Sequence, residues 1–374
     1  MYHVDVIRIP CRSPGDTSGL EELLGSGRIA AAEIVAVIGK TEGNGCVNDY
    51  TREYATTMLA TCLGRALGLE PAQVERRIAF VMSGGTEGVL SPHLTVFARR
   101  PVDARARAAG PRLTLGVAFT RDFLPEEIGR RAQIEETARA VERAMNDGGI
   151  ASPQDVHFVQ IKCPLLTPPK MAQARARGHE PVTADTYESM SYSRGASALG
   201  VALATGEASA ADLSDATVLQ DWQRSSSVAS ASAGIELDHN VVIVMGMSEK
   251  ATGDYVIAHG VMADAIDATS VRRTLEALGI RGGEDLRRVV NVFAKAEASP
   301  DGLVRNMRHT MLGDSDIHST RYARAVTGAV VASVVGHGMV YVSGGSEHQG
   351  PAGGGPVAVV ARAQAGADRT AEAA

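Results

Sequence analysis

The amino-acid sequence predicts an α/β protein with mixed strand directions, made of three copies of one unit of roughly 120 residues. Three features each recur once per third of the chain: a strand ending on lysine, a Ser-[Gly/Ala]-Gly-x-Glu motif, and an arginine beside an Ala-rich helical segment. The lysines are 122 and 133 residues apart, and the serines 149 and 111 residues apart. We therefore expect repeat units at 1–103, 111–249 and 255–362, and a flexible tail at 363–374.

Three apolar segments rich in β-branched residues are predicted to be strands. They read IVAVIGK, VHFVQIK and VVNVFAK, and they end on Lys40, Lys162 and Lys295. A strand and a helix precede each of them: VDVIRIP with GLEELLGSG, LTLGVAFT with PEEIGRRAQIEETARAVERAMNDGG, and NVVIVMGMSE with DAIDATSVRRTLEALG. We expect the order strand, helix, lysine strand, helix and serine strand in every unit, with linkers near 100–112 and 248–255.

The serine motif reads SGGTE from Ser83, SAGIE from Ser232 and SGGSE from Ser343. The first and third copies follow the apolar runs IAFVM and MVYV, so we expect these serines at strand ends. A tight turn is the structural interpretation of a single copy. Recurrence with glutamate at the fifth position favours a function.

An arginine precedes an Ala-rich helical stretch in each unit. The stretches are NDYTREYATTMLATCLGRAL at Arg52, SYSRGASALGVALA at Arg194 and HSTRYARAVTGAVVASVV at Arg321. Ser, Thr and Asp residues before them are suitable N-caps. In the third unit Arg324 lies one helical turn beyond Arg321 on a similar face, so spacing leaves both residues open.

Composition indicates a globular protein, with 44% hydrophobic and 21% charged residues. Only 4% of residues are aromatic and the net charge is -6, so nucleic acid is not expected as a partner. The sequence contains no apolar run of 18 residues, so no membrane association is expected. The cysteines at 11, 46, 62 and 163 form no CxxC pair and the N-terminus has no signal-peptide pattern. These features predict reduced thiols in a cytoplasmic protein.

The repeated lysines and serines indicate nucleophilic catalysis. A serine hydroxyl attacks efficiently only when a base takes its proton, and a buried lysine surrounded by cations can be neutral enough to do so. If the units pack around a common axis, three Lys-Ser pairs and three arginines converge. Backbone N–H groups of the Ser-Gly turns are candidate oxyanion donors, so a planar ligand with three repeated carbonyls would suit such a cage.

Other site motifs are not supported. The GKT sequence at 39–41 lacks the phosphate-binding loop's first glycine, because Ile34 stands there. The ten histidines form no HxH or HExxH pattern, so a zinc-dependent hydrolase is disfavoured. The stretch SEHQGPAGGGP from Ser346 is either a flexible loop or, beside Glu297, a carbonyl-rich site for Mg²⁺ or Ca²⁺.

Six stretches resemble the ring-opening amidohydrolase family, which includes cyanuric acid amidohydrolases and barbiturases. They read GKTEGNGCVNDYTREYAT, FVMSGGTEGVLSPH, TYESMSYSRGASALG, SSSVASASAGIELDHN, NVFAKAEASPDG and VYVSGGSEHQGPAGGGP, and the resemblance extends over about residues 1–362. It implies three homologous units around a pseudo-threefold axis, with a central β-barrel-like core surrounded by helices. It also implies opening of the s-triazine ring of cyanuric acid to carboxybiuret, which loses carbon dioxide to give biuret.

The resemblance assigns roles to individual residues. It implies that Lys162 is the general base and Ser232 the nucleophile, although the near-symmetry of the sequence does not distinguish this pair from the other two. The implied substrate-binding residues are Lys40, Arg52, Ser83, Gly84, Arg194, Ala233, Lys295, Arg324, Ser343 and Gly344. The implied ligands of a structural Mg²⁺ or Ca²⁺ are Glu297, Ser346, Gln349, Gly350, Pro351 and Gly354.

The family further implies a homotetramer that needs no cofactor for catalysis. Three alternatives remain open at the level of sequence. Barbiturase activity differs by a CH₂ group in place of one ring NH. A non-catalytic protein that captures a planar anion or cyclic imide would keep its lysines charged. A purely structural repeat protein would bind no such ligand.

Overall fold

The computed structural model describes residues 1–103 and 110–364. Within them the chain forms three four-stranded sheets, a small two-stranded hairpin and eight α-helices. Of the predicted linker near 100–112, residues 104–109 lie outside the described part of the chain. So do residues 365–374 of the predicted tail.

The first sheet has the strand order β1-β4-β2-β3, with β2 and β3 parallel and the other pairs antiparallel. Helix α2 begins after Asp49, whose carboxylate accepts a hydrogen bond from the Thr51 N–H, and it ends at Gly68 in a left-handed conformation. The elements of this unit are β1 (Tyr2–Pro10), α1 (Ser18–Gly25), β2 (Ile34–Thr41), α2 (Tyr50–Leu67), α3 (Pro71–Glu75), β3 (Ala79–Gly84) and β4 (His93–Pro101).

The second sheet repeats this order as β5-β8-β6-β7, again with one parallel pair, β6 and β7. A Cβ atom at Gly116 of β5 would lie 1.8 Å from the carbonyl oxygen of Ala144, so glycine allows helix α4 to approach the sheet closely. The elements are β5 (Arg112–Phe119), α4 (Arg131–Gly148), β6 (Val156–Cys163), α5 (Pro168–Ala176), α6 (Thr186–Thr205), β7 (Ala229–Ala233) and β8 (Val241–Ser248).

The third sheet has the equivalent order β9-β14-β10-β13, and β10 and β13 are its parallel pair. A short hairpin, β11 with β12, is inserted after the lysine strand. The elements are β9 (Tyr255–Met262), α7 (Ala268–Glu276), β10 (Val289–Ala296), β11 (Leu303–Val304), β12 (Met307–Arg308), α8 (Ser319–Val335), β13 (Tyr341–Gly344) and β14 (Gly355–Arg362).

The three lysine strands predicted from sequence are present, but two strand predictions need correction. Each sheet has a fourth strand after the serine motif, and the predicted element order did not include it. The run NVVIVMGMSE lies within the expected unit 111–249 but was predicted as the strand that precedes the third lysine strand; Val241–Ser248 instead pairs with β5 and β6 and completes the second sheet. The third unit begins with Tyr255–Met262 instead, because this strand pairs with β14.

One apolar core joins the three sheets. Phe97 of β4, Phe158 of β6 and Phe293 of β10 are fully buried, and the Phe293 ring centroid lies 6.4 Å and 5.5 Å from those of Phe97 and Phe158. Side chains from strands of every sheet belong to this cluster. The inner faces of the sheets therefore share one core, as expected for equivalent units around an axis.

The outer face of each sheet is covered by its own helices, in three further apolar clusters. This arrangement agrees with the predicted α/β architecture. Within the described ranges the three sheets remain separate in strand pairing, so the core is not enclosed by one continuous hydrogen-bonded barrel. No helix in the described residues is long and apolar enough to cross a membrane.

Candidate active site

Each repeated lysine lies directly opposite a repeated serine. The cause is the parallel pairing of lysine strand and serine strand, which occurs in every sheet with the same alignment of the two motifs. The register pairs Lys40 with Ser83, Lys162 with Ser232, and Lys295 with Ser343. Three equivalent Lys-Ser pairs thus follow from one repeated topology.

In the first and third pairs the lysine contacts its own serine. Lys40 Nζ donates to Ser83 Oγ at 3.2 Å, and Lys295 Nζ donates to Ser343 Oγ at 3.1 Å. Both ammonium groups are almost completely buried, with 1% exposure for each residue. A buried lysine needs such partners, because an unpaired polar group in the interior is costly.

The second pair has different hydrogen bonds. Lys162 Nζ donates to the carbonyl oxygen of Met82 at 3.1 Å and lies 3.1 Å from Glu236 Oε1. Ser232 Oγ donates weakly to the carbonyl oxygen of Ile161 at 3.4 Å. Among the described residues, no hydrogen bond joins Lys162 to Ser232. The near-symmetry seen in the sequence is therefore broken in the second unit.

Burial lowers the pKa of all three lysines, since the interior disfavours the charged ammonium. The pKa of Lys40 falls well below its ordinary value, with Arg324 adding repulsion. Burial and the charge of Arg194 lower the pKa of Lys295 to about 7. The pKa of Lys162 falls to about 8 because of burial. All three are therefore closer to neutrality at physiological pH than an exposed lysine.

Each lysine ammonium also contacts the serine strand of another unit, which brings the three pairs around one centre. These contacts run in a circle through the three sheets. They are Lys162 Nζ to the Met82 carbonyl of β3 at 3.1 Å, Lys295 Nζ to the Ala231 carbonyl of β7 at 2.8 Å, and Lys40 Nζ 5.9 Å from the ring centroid of Tyr341 on β13.

A second circle is formed by arginines and the glutamates at the fifth position of the serine motifs. Every arginine comes from one unit and its glutamate from another, so the three units are connected by buried or largely buried ion pairs. These pairs are Arg52 Nε to Glu236 Oε1 at 3.2 Å, Arg194 Nε to Glu347 Oε2 at 2.8 Å, and Arg324 Nε to Glu87 Oε2 at 2.9 Å. The recurring glutamate noted in the sequence therefore positions the arginine of a neighbouring unit.

The structure distinguishes the two arginines of the third unit. Arg324 is 2% exposed and is the geometric equivalent of Arg52, whereas the Arg321 side chain is 45% exposed at the surface. Arg321 still lies 3.4 Å from Glu87, at the outer edge of the same ion pair. The arginines do not precede the helices as expected: Arg194, for example, is the ninth residue of α6.

A small cavity of about 280 Å³, including its opening to solvent, lies where these groups meet. Its lining contains all the predicted catalytic and substrate-binding residues except Lys40 and Lys295, whose ammonium groups lie behind Ser83 and Ser343. Gly45 and Met190 also line the cavity and were not predicted. The lining residues are Gly45, Arg52, Ser83, Gly84, Lys162, Met190, Arg194, Ser232, Ala233, Arg324, Ser343 and Gly344.

One buried donor at this site, Arg52 Nη2, has no hydrogen-bond partner within the described residues, whereas the buried Tyr341 hydroxyl interacts with Ser83, Ser232 and Ser343. Burial raises the pKa of Tyr341 well above its ordinary value, so this group stays protonated. Buried donors are seldom left unpaired. The unpaired Arg52 donor beside a polar cavity therefore favours a ligand with carbonyl or other acceptor groups.

Five of the residues expected to hold a cation lie on the loop between β13 and β14, and the sixth, Glu297, directly follows β10. Ser346 Oγ donates to Glu297 Oε2 at 3.0 Å and lies 3.1 Å from the Gly354 carbonyl oxygen. Gln349 Oε1 accepts from the Ala231 N–H at 2.7 Å, which connects the loop to the residue before Ser232. No group of three or more His, Cys, Asp or Glu side chains in the described ranges could hold a metal ion, so carbonyl oxygens would have to supply most ligands.

The family of amidohydrolase ring-opening proteins matches residues 5–362, almost the whole chain. The chain belongs to this ring-opening amidohydrolase family. A cyanuric acid amidohydrolase of Pseudomonas sp. strain ADP is 76% identical over 97% of this chain and 100% of its own length. A cyanuric acid amidohydrolase of Bradyrhizobium diazoefficiens is 61% identical over 96% of this chain and 98% of its own length.

Solved structures of the ring-opening amidohydrolases have the same fold. A cyanuric acid hydrolase structure, described as an evolutionary innovation by structural concatenation, superimposes with a TM-score of 0.95 at 75% identity, over 97% of this chain and 100% of that one. The cyanuric acid hydrolase of A. caulinodans superimposes with a TM-score of 0.90 at 50% identity, with the same two coverages. The α/β fold expected from the sequence is confirmed by these likenesses.

Proposed function

We propose that this protein is a cyanuric acid amidohydrolase that opens the s-triazine ring in bacterial s-triazine degradation. The product is carboxybiuret, which loses carbon dioxide to give biuret. One observation supports this function above all: three Lys-Ser pairs and three arginines from three units surround one small cavity. Cyanuric acid is a planar ring with three equivalent carbonyls, so its symmetry matches that of the cavity.

In the proposed mechanism Lys162 acts as general base and Ser232 as nucleophile. The neutral Lys162 amine takes the proton of Ser232 Oγ, and the alkoxide forms a bond to one ring carbonyl carbon. The tetrahedral intermediate collapses with cleavage of the ring C–N bond, and the Lys162 ammonium returns a proton to the leaving nitrogen. Water then hydrolyses the acyl-enzyme, releasing carboxybiuret and restoring the hydroxyl. Ser-Lys contacts of this kind often tighten only when substrate is bound.

The other two pairs are proposed to bind rather than attack. Ser83 and Ser343 present hydroxyls to the cavity, each held by its own lysine. Backbone N–H groups at Gly84, Ala233 and Gly344 are the proposed donors to substrate oxygens, including the oxyanion. Glycine is required at the first of these positions, because a Cβ atom at Gly84 would lie 1.6 Å from an Asp49 carboxylate oxygen.

A structural cation is proposed at the loop that contains Ser346 and Gly354. Glu297 contacts this loop through the Ser346 hydroxyl, and burial together with the charge of Glu347 raises its pKa to about 7. Among the described residues its carboxylate contacts a serine hydroxyl but forms no ion pair with a basic side chain. One carboxylate surrounded by carbonyl oxygens is a donor set that suits Mg²⁺ or Ca²⁺. The proposed ligands are Glu297, Ser346, Gln349, Gly350, Pro351 and Gly354.

Assembly and location are also proposals. We expect a homotetramer, as implied by the family resemblance, and a cytoplasmic enzyme, as the spacing of the cysteines predicts. Size-exclusion chromatography with light scattering measures the assembly directly.

The function is tested by steady-state hydrolysis of cyanuric acid and, separately, barbituric acid, with and without prior chelation. We expect biuret from cyanuric acid and no turnover of barbituric acid, because a site that hydrogen-bonds the ring NH rejects the CH₂ analogue. Turnover should survive chelation, while loss of a bound cation should lower the melting temperature. Barbiturate turnover alone would indicate a barbiturase. Binding without turnover would indicate a capture protein, and absence of any binding would contradict a ligand site altogether.

The two neighbouring arginines provide a separate prediction. Arg324→Lys should lower kcat/KM for cyanuric acid by about 10- to 100-fold, because lysine keeps the charge beside Glu87 but loses the planar fork of donors. Arg321→Lys should stay within about threefold of the wild type, since its side chain is exposed. Initial rates measure both variants, and melting temperatures control for folding. A larger loss in Arg321→Lys than in Arg324→Lys would instead favour Arg321 as the substrate contact.

A further inference from the structure

One of the three motif glutamates has a second cationic partner. Glu236 Oε1 lies 3.2 Å from Arg52 Nε and 3.1 Å from Lys162 Nζ, whereas Glu87 and Glu347 form ion pairs with arginines but with no lysine among the described residues. Lys162 is also the repeated lysine that does not hydrogen-bond to its own serine. These two asymmetries occur in the same unit.

We propose that Glu236 is the positioning residue that makes Lys162 and Ser232 the reacting pair, by holding the Lys162 ammonium once it has taken the serine proton. This inference rests on the proposed ring-opening function. In this step one proton moves from Ser232 Oγ to Lys162 Nζ, and Glu236 remains a carboxylate throughout. Without a partner the new ammonium would face Arg52 in a buried site.

The chemistry requires a lysine that both takes and returns a proton. A lysine whose protonated form is very unstable accepts a proton poorly. A lysine is therefore an efficient general base when its pKa lies near the working pH of the enzyme. Burial lowers the pKa of Lys162 to about 8, and Glu236 opposes that shift. Lys40 has no carboxylate in contact, and its pKa falls well below the ordinary value. Lys295 likewise has no carboxylate in contact among the described residues, and its pKa falls to about 7, below that of Lys162. The carboxylate therefore stabilises a protonated Lys162 relative to the lysines of the other two pairs.

Glu236 is itself suited to remain charged. Burial alone would raise its pKa, but Lys162 and Arg52 lower it to about 2. The Lys162–Glu236 pair also borders a larger cavity between the first and second units. The titratable or charged groups facing the pair across that cavity are Glu53, Glu75, Arg76, Arg121, Asp122, Asp238 and His239.

The matched substitutions are Glu236→Gln and Glu87→Gln. Both keep the size of the side chain and remove one negative charge opposite a pocket arginine, Arg52 or Arg324. Both should therefore weaken substrate binding to a similar degree. Only the first also removes a carboxylate in direct contact with a lysine, because Glu87 acts on Lys40 at longer range.

The first measurement is the pH dependence of kcat/KM for cyanuric acid. Removing the carboxylate destabilises protonated Lys162, so in Glu236→Gln the acidic limb should move to lower pH by about one unit. At the plateau kcat should fall by about 10- to 100-fold, since the protonated base is no longer stabilised. In Glu87→Gln the position of the limb should match the wild type. Equal shifts in both variants, or no shift in Glu236→Gln, would overturn the proposal.

A second measurement needs no turnover. The protein has five lysines, so ¹³C labelling at lysine Cε gives a simple NMR spectrum, in which the Lys162→Met variant identifies the Lys162 signal. The Lys162 titration should move to lower pH in Glu236→Gln and stay in place in Glu87→Gln. An unchanged titration in Glu236→Gln overturns the inference whether or not the ring opens. Absence of cyanuric acid hydrolysis by the wild type, with the titration shifted, would instead reject the proposed function.

Discussion

Replacing Ser232 with alanine is expected to lower kcat for cyanuric acid by a factor on the order of 10⁴ to 10⁶. The variant loses the attacking oxygen, so no acyl-enzyme forms. Binding should remain, because the arginines, the other two serines and the backbone donors still surround the cavity. Initial rates of biuret formation measure the first effect, and calorimetric titration with cyanuric acid measures the second.

The matched controls are Ser83→Ala and Ser343→Ala. Each removes a hydroxyl in the same register of an equivalent strand pair, so any general damage to the cavity is shared. We expect smaller losses of kcat, about 10- to 1,000-fold, because these serines polarise carbonyls without bonding to carbon. Equal losses in all three variants would refute the assignment of Ser232 as the nucleophile. Full activity of Ser232→Ala would refute the acyl-enzyme itself.

Most of the repeat architecture could be predicted because each unit carries its own local signals. The lysine strands end where the sequence pattern ends, within one residue: β2 reaches Thr41 and β6 reaches Cys163. Which strands pair with each other depends on contacts between residues that are distant in the sequence, so a local sequence pattern does not predict it. The apolar run Val241–Ser248 could be the first strand of the third unit or the last strand of the second. Its pairing with β5 and β6 assigns it to the second unit.

The composition of the site was largely predictable, whereas its contacts were not. Repetition alone singled out the lysines, serines and motif glutamates. The partner of each glutamate lies in another unit: Glu236 and Arg52, for example, are 184 residues apart in sequence. Spacing could not separate Arg321 from Arg324 either, since one helical turn leaves them on similar faces and burial distinguishes them. Lys162 contacts Glu236 where Lys40 and Lys295 contact their own serines. This difference depends on side-chain positions, which could not be predicted from three nearly identical motifs.

Replacing Lys162 with methionine is expected to lower kcat by about 10² to 10⁴ and to remove a limb of the pH profile. Only the neutral amine accepts the Ser232 proton. Because the pKa of Lys162 is lowered to about 8, kcat/KM of the wild type should rise with pH through that value. Methionine has a similar length without a charge, so the fold should be retained, which melting temperatures will verify. Steady-state kinetics between pH 5 and pH 10 measure the profile.

Lys40→Met is the matched control for that change. Lys40 is equally buried, and burial likewise lowers its pKa, but it belongs to a pair that is proposed to bind rather than attack. Its replacement should weaken binding through loss of the bond to Ser83 and leave the limb in place. A limb caused by ionisation of the substrate would persist in both variants. Persistence in Lys162→Met would therefore exclude Lys162 as the base, whereas loss in that variant alone assigns the proton transfer to the second pair.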